Sequence, residues 1–261
     1  MRKLLPITII IFLAVVIVSI ISTSTVVSNP FPYKIPVIPN KQSYLTFLVG
    51  DSMVAALGAN DDGLRQNLIK YYPGHEFVNY NYGFPSTNIE SLPDRLEKGV
   101  TFDGKDYQSI LSQGFDLIIL ESFAYNPLSQ YPLEEGLKKQ TEILDQSVRK
   151  IISTKPNSVI AIMTPIAPNK ELFAKGAFDL STSQREMWAS ERVAYIKNAI
   201  DFAKSHNIPL INVYEKTLTA NGDGDLKYID SKDHIHPSKE GVLIMNQTIA
   251  DFIFKNKIFP Q

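Results

Sequence analysis

Tyr44-Leu45-Thr46-Phe47-Leu48-Val49 runs directly into Gly50-Asp51-Ser52. A short apolar run closed by glycine and two turn-forming polar residues predicts a buried strand with a tight exit. The same pattern recurs downstream. Glu76 to Tyr80 leads to Gly83, and Asp116-Leu117-Ile118-Ile119-Leu120 is continuously apolar after its first residue. Ser158 to Met163 stops at Thr164-Pro165, and Pro209 to Val213 is a fifth run. Between them lie segments with helical spacing: Leu64 to Tyr71, Glu134 to Ile152 and Glu186 to Ser205. Pro237 suits a first helical position, with a closing helix from Ser238 to Phe254. Strand and helix alternate, so the chain predicts a three-layer α/β/α domain around a mostly parallel five-stranded sheet. Sites in such sheets form beyond the carboxyl ends of the strands. Gly50-Asp51-Ser52, Gly83, the segment after Leu120 and the loop before Pro237 are therefore expected on one edge.

The N-terminal stretch reads differently. Met1-Arg2-Lys3 is a basic start, and the eighteen residues from Leu4 to Ile21 are almost wholly apolar. At 1.5 Å per residue such a helix spans about 27 Å, close to a hydrocarbon core. It exceeds the apolar region of a cleaved signal, and Ser22-Thr23-Ser24-Thr25 is a poor cleavage site. Residues 1–3 are expected in the cytoplasm, 4–22 as a signal anchor, and the rest outside, or secreted if the segment is cleaved. Residues 23–42 hold Pro30, Pro32, Pro36 and Pro39 and predict a stiff tether. The domain would then occupy 43–261.

Composition narrows the partners. The 261 residues carry 26 basic and 27 acidic side chains and no cysteine. A formal charge of −1 lacks the basic excess that phosphate neutralisation requires, so nucleic acid is not expected. Absent cysteine excludes a thiolate nucleophile and a cysteine-held zinc.

The chemistry-bearing residues lie at the two ends of the domain. Ser52, on a turn leaving a strand, presents either a hydroxyl at the sheet edge or a helix cap. A serine hydroxyl becomes a nucleophile when a base takes its proton, and histidine beside a carboxylate is the usual base. Asp233-His234-Ile235-His236-Pro237 holds both in one short loop, with His234 and His236 as competing bases. A His-x-His metal site is the other reading of that loop, with no third ligand indicated.

These residues resemble the SGNH (GDSL) hydrolases. The first block of that family, a strand followed by Gly-Asp-Ser, is matched by Phe47 to Ser52. The last, Asp-x-x-His-Pro, is matched by Asp233 to Pro237 and selects His236 over His234. The resemblance spans about residues 44 to 255 and implies a flavodoxin-like fold. It also implies a serine ester hydrolase with Ser52 as nucleophile, His236 as base and Asp233 orienting it. Oxyanion donors would be the Ser52 N–H, the Gly83 N–H within Asn81 to Thr87, and the Asn126 side chain. The third block departs from the pattern, because Pro127 replaces the usual aspartate and no glycine precedes Asn126. The resemblance implies no metal and no organic cofactor. Gly50-Asp51-Ser52-Met53-Val54 is not the Gly-x-Ser-x-Gly elbow of the α/β-hydrolases.

The expected activity is thus that of a membrane-anchored, extracytoplasmic esterase. Its substrate would be an acyl ester, either an O-acetyl group on envelope or extracellular carbohydrate or a lipid ester. An O-acyltransferase using the same acyl-serine chemistry and a non-catalytic carbohydrate-binding domain are the alternatives. Asn221-Gly222-Asp223-Gly224-Asp225 resembles a calcium loop weakly, since Leu226 and Lys232 stand where glycine and glutamate are needed. Trp188 reads as a packing residue. It follows a polar segment, Asn169 to Gln184, that could overhang the site.

Overall fold

The computed structural model describes residues 33–260. The expected membrane segment at 4–22 and the first part of the tether lie outside the described residues. Among the described residues no helix is long and apolar enough to cross a membrane.

Five strands form the main sheet: β1 (Ser43–Gly50), β2 (Glu76–Gly83), β5 (Leu117–Glu121), β6 (Val159–Thr164) and β7 (Leu210–Asn212). Their order is β2-β1-β5-β6-β7, and every pairing is parallel. Each coincides with an apolar run that predicted it. β5 and β6 are buried along their whole length, as strands covered on both faces must be. β2 alternates between buried and exposed positions because it is an edge.

The chain leaves β1 toward one edge through α1 (Ser52–Ala55) and α2 (Asp62–Tyr71). It then returns to the other side of β1 and runs outward through α4 (Leu133–Thr154) and α5 (Thr182–Ser205). Right-handed crossovers in opposite directions place their helices on opposite faces. Accordingly α2 packs on the final helix α7 (Lys239–Lys255), and α4 packs on α5. The order reverses between β1 and β5, and that reversal opens the crevice where the site lies.

Several local features differ from expectation. Residues 33–42 have no regular structure, but they dock on the domain. Tyr33 and Ile38 are buried, the Tyr33 N–H donates to the His206 carbonyl at 2.9 Å, and the Ile160 N–H donates to the Tyr33 hydroxyl at 2.9 Å. Prolines keep this stretch out of a ladder, while its apolar side chains find cover. The folded unit therefore takes in residues 33–42. α5 starts earlier than Glu186, because Ser181 and Gln184 form a capping box. Pro237 is not at the first helical position. Ser238 caps α7, and Pro237 pairs with Ile229. A hairpin of β3 (Val100–Phe102) and β4 (Lys105–Tyr107) and the short helix α3 (Leu92–Glu97) were not foreseen. In the Asn221–Asp225 loop, Asp223 accepts from Asn169 and the Lys170 N–H, and Asp225 caps the Lys227 N–H. Its carboxylates thus serve the loop itself. Among the described residues no cluster of three or more His, Cys, Asp or Glu is placed to hold a metal.

Asp61, the cap of α2, is wholly buried. Burial pushes its carboxyl up to about 7, against lowering hydrogen bonds from the Leu64 N–H and the Asn246 side chain. Its Oδ2 and the Asn246 Oδ1 otherwise have no donor, which a protonated Asp61 would supply. The folded state holds this proton to higher pH than the unfolded chain, so stability falls as pH rises from about 4 to 7. The gap between 3.8 and about 7 corresponds to roughly 4 kcal/mol. Asp61→Asn, a residue that also caps helices and tolerates the left-handed φ of 43°, is expected to remove this slope. Urea midpoints for wild type and variant should converge near pH 4. Near pH 8 they should separate in the variant's favour.

Candidate active site

The nucleophile turn is built by close approach. A Cβ on Gly50 would collide with Val54 and lie 2.8 Å from the Glu121 Cβ, so β1 and β5 can close here only with glycine. Asp51 is the N-cap of α1, and its Oδ1 accepts the Met53 N–H at 2.8 Å. That cap turns the chain sharply and leaves Ser52 half-buried at the first helical position.

Asp51 does more than cap. Its Oδ2 accepts the Asn126 Nδ2 at 2.9 Å, a bond that crosses the crevice from the segment after β5. One carboxylate therefore holds both the Ser52 turn and the Asn126 amide, although the sequence reading assigned Asp51 no role. An amide nitrogen carries two hydrogens, so the second remains for another acceptor.

The opposing loop is equally ordered. Asp233 Oδ2 lies 2.7 Å from His236 Nδ1. Its Oδ1 accepts the N–H groups of Ile235 at 2.8 Å and His236 at 3.0 Å. Burial alone would raise the Asp233 carboxyl, but these hydrogen bonds outweigh it and hold it below the usual carboxylate range. His236 is half-exposed, and among the described residues its Nε2 has no hydrogen-bond partner. His234 turns elsewhere. Its Nδ1 meets the Lys175 carbonyl at 2.8 Å and its φ is 53°, so it braces the loop after β6.

The His236 charge lowers the Asp51 carboxyl, so the two loops lie within electrostatic reach of each other. Among the described residues no hydrogen bond joins Ser52 Oγ to His236 Nε2. Such bonds commonly tighten only when substrate is bound.

Gly83 departs from its expected use. Its N–H donates to the Asn81 Oδ1 at 2.7 Å. A Cβ there would strike the backbone of Val54 and Ala55, so its glycine is accounted for by the approach of α1 to β2. The turn beyond it holds Ser86 at φ 59°.

Behind the turn lies a buried charge cluster. Arg95 of α3 is 1% exposed and donates to the carbonyls of Gly50 (2.6 Å) and Tyr82 (2.9 Å), and to the hydroxyls of Thr87 and Ser91. Its guanidinium also lies over the rings of Phe84 and Phe123. Burial lowers it to about 10, while the charges of Asp51 and Glu121 pull it back up. Glu121 accepts from the Ser122 hydroxyl at 2.7 Å, the Phe123 N–H at 2.8 Å and the Asp51 N–H. Burial first, and then the Asp51 charge, push its carboxyl well up. Burial likewise raises Asp51, against the pull of Met53, Asn126, Arg95 and His236. The two buried carboxyls thus both sit above the usual carboxylate range, with the Arg95 guanidinium as their nearby counter-charge. Sequence reasoning missed Arg95, which carries no motif.

No protein-family model and no curated protein sequence matches the chain. Solved structures do. A lipase/acylhydrolase from Enterococcus faecalis superposes with a TM-score of 0.57 at 18% identity, over 82% of this chain and 96% of that one. A GDSL-like lipase from Bacteroides thetaiotaomicron gives 0.54 at 13%, over 84% and 91%. An acetyl xylan esterase gives 0.53 at 15%, over 81% and 98%. At such identities the likeness establishes the fold: this chain has the fold of the GDSL-like lipases and acylhydrolases.

Proposed function

We propose that the chain is a serine ester hydrolase, held at a membrane by residues 4–22 with its domain outside the cytoplasm. The observation that carries the reading is the pairing of Asp233 with His236 on one loop, alongside the Asp51 carboxylate that holds the Ser52 turn and Asn126. Ser52 Oγ attacks the ester carbonyl while His236 Nε2 takes its proton. Asp233 fixes the imidazole with Nδ1 protonated and stabilises the imidazolium. The developing oxyanion receives the Ser52 N–H and the unused hydrogen of Asn126 Nδ2. The Gly83 N–H joins them only by releasing Asn81 Oδ1. Removing one such donor costs about 3–4 kcal/mol of barrier. His236 then protonates the departing alcohol, and water, activated by the same base, releases the acyl group.

Asn126 serves this reading despite its altered block, because the Asp51 carboxylate holds its amide beside the Ser52 turn. O-acetyl groups on carbohydrate and longer acyl esters are both chemically competent substrates.

The test is hydrolysis of p-nitrophenyl acetate by wild type and Ser52→Ala. Activity that falls to background in the variant, with an unchanged fold, is expected. Activity surviving the substitution would overturn the serine mechanism. Product transfer to an added sugar acceptor would move the assignment to an acyltransferase. A folded but inactive wild type would favour a binding domain.

A further inference from the structure

An open groove of about 660 Å³ lies between the N-terminal parts of α4 and α5. Its volume falls in the range of small-molecule sites. Leu133, Met187 and Trp188 form its walls, and Ser129, Glu191 and Arg192 its polar margin. Leu133 is 47% and Met187 61% exposed. Phe178, 53% exposed, meets the edge of the Trp188 ring at 5.6 Å. Large apolar side chains gathered at one place on a soluble surface mark a site of contact.

Most of the polar margin is already spent, which leaves the exposed Ser190 hydroxyl and the buried Arg192 Nε without a partner among the described residues. Glu191 Oε1 accepts the Ser129 hydroxyl at 2.7 Å, and its Oε2 accepts Arg192 Nη1 at 2.7 Å. The same Nη1 also meets the Trp188 carbonyl at 3.2 Å, and the guanidinium lies 5.2 Å from the Trp188 ring centroid. A sugar ring needs free donors and acceptors in place of the water it loses. This groove offers apolar wall instead, so its chemistry suits an alkyl chain.

Its position ties it to the catalytic edge. Ser129 follows Asn126 by three residues, a span of at most about 11 Å. Asn126 is itself hydrogen-bonded to the residue before Ser52. On the other side, Arg192 lies over Phe173, next to Ala174, whose N–H donates to the His234 carbonyl at 3.2 Å. The groove thus hangs between the segment that carries Asn126 and the segment that braces the Asp233–His236 loop.

We propose that this groove is the acyl-chain subsite of the enzyme, taking the alkyl chain of a medium- or long-chain acyl ester whose carbonyl lies at Ser52. The proposal rests on the esterase reading and selects the longer acyl ester over the acetyl group.

Trp188 is the single tryptophan of the chain, so its fluorescence reports the groove without requiring turnover. Full-length protein would be titrated with decanoate, and with acetate as control. A saturable change with decanoate alone is expected, retained in Ser52→Ala and weakened at least tenfold in Leu133→Ser/Met187→Ser. Those two positions are exposed enough that a polar side chain does not threaten the fold. In turnover, the kcat/KM ratio of p-nitrophenyl octanoate to acetate should fall about tenfold in the same double variant. No saturable signal, or a signal and ratio indifferent to the double variant, would overturn the proposal. A shift in oligomeric state with an unchanged ratio would reassign the groove to contact between copies. Activity surviving Ser52→Ala would sink the esterase reading instead, while the fluorescence titration still decides what the groove binds.

Discussion

Replacing His236 with alanine is expected to lower kcat for p-nitrophenyl acetate by about ten-thousand-fold, with KM changed little. The base is then gone, while the oxyanion donors and the pocket remain. Asp233→Asn should approach the same loss. An amide at that position presents the wrong hydrogen-bonding group to Nδ1 or favours the wrong tautomer. Its one remaining oxygen can accept either the Ile235 and His236 N–H groups or the Nδ1 proton, where the carboxylate serves both. His234→Asn is the control, since asparagine tolerates the φ of 53° and His234 faces Lys175. Its kcat should stay within a few-fold of wild type. Equal losses at His234 and His236 would refute the assignment of the base, and so would full activity in His236→Ala. Steady-state kinetics on the purified variants, with circular dichroism for fold, decides the matter.

The second large effect is expected at Arg95, and it is one of stability. Arg95→Met fits an apolar chain into the same channel but strips the carbonyls of Gly50 and Tyr82 of a donor. It also leaves Asp51 and Glu121 buried without their counter-charge. Breaking a buried charge cluster by removing one partner costs about 3–5 kcal/mol. For a domain of this size that is a fall in Tm of roughly 6–20 °C. Arg95→Lys should rescue only part of it, because an ammonium cannot span four acceptors in one plane. Thermal melts at neutral pH test this. A shift below about 2 °C in Arg95→Met would mean that the cluster carries little of the fold's stability.

The two effects lie on different sides of the same turn. In the proposed mechanism His236 takes the Ser52 proton, whereas Arg95 holds the carbonyl of Gly50 at the strand end before it. Asp51 joins them, through the Met53 cap on one oxygen and the Asn126 amide on the other.

What the sequence by itself determined is the local and the periodic. Continuous apolar runs such as Leu117 to Leu120 can bury both faces only inside a parallel sheet, and their alternation with amphipathic segments dictated the layers. Ser52 on a strand exit and Asp233 with His236 in one tight loop were legible because a few residues of chain hold each in place. Some local signals were present but carried no expectation. Asp103-Gly104, both at positive φ, turns the β3–β4 hairpin, and Ser181 with Gln184 opens α5. Only the tertiary structure decided the rest. Asn126 reaches Asp51 across the gap between two strands, a contact 75 residues apart. Gly83 keeps its glycine for the passage of α1 and its N–H for Asn81. Arg95, which would read as a surface charge on a short helix, is buried because two strand ends and two carboxyls converge on it. Tyr33, within a stretch that reads as spacer, is fixed by β6. In each case a partner distant in sequence sets the energy of the residue, and no pattern along the chain encodes which partner folding will bring.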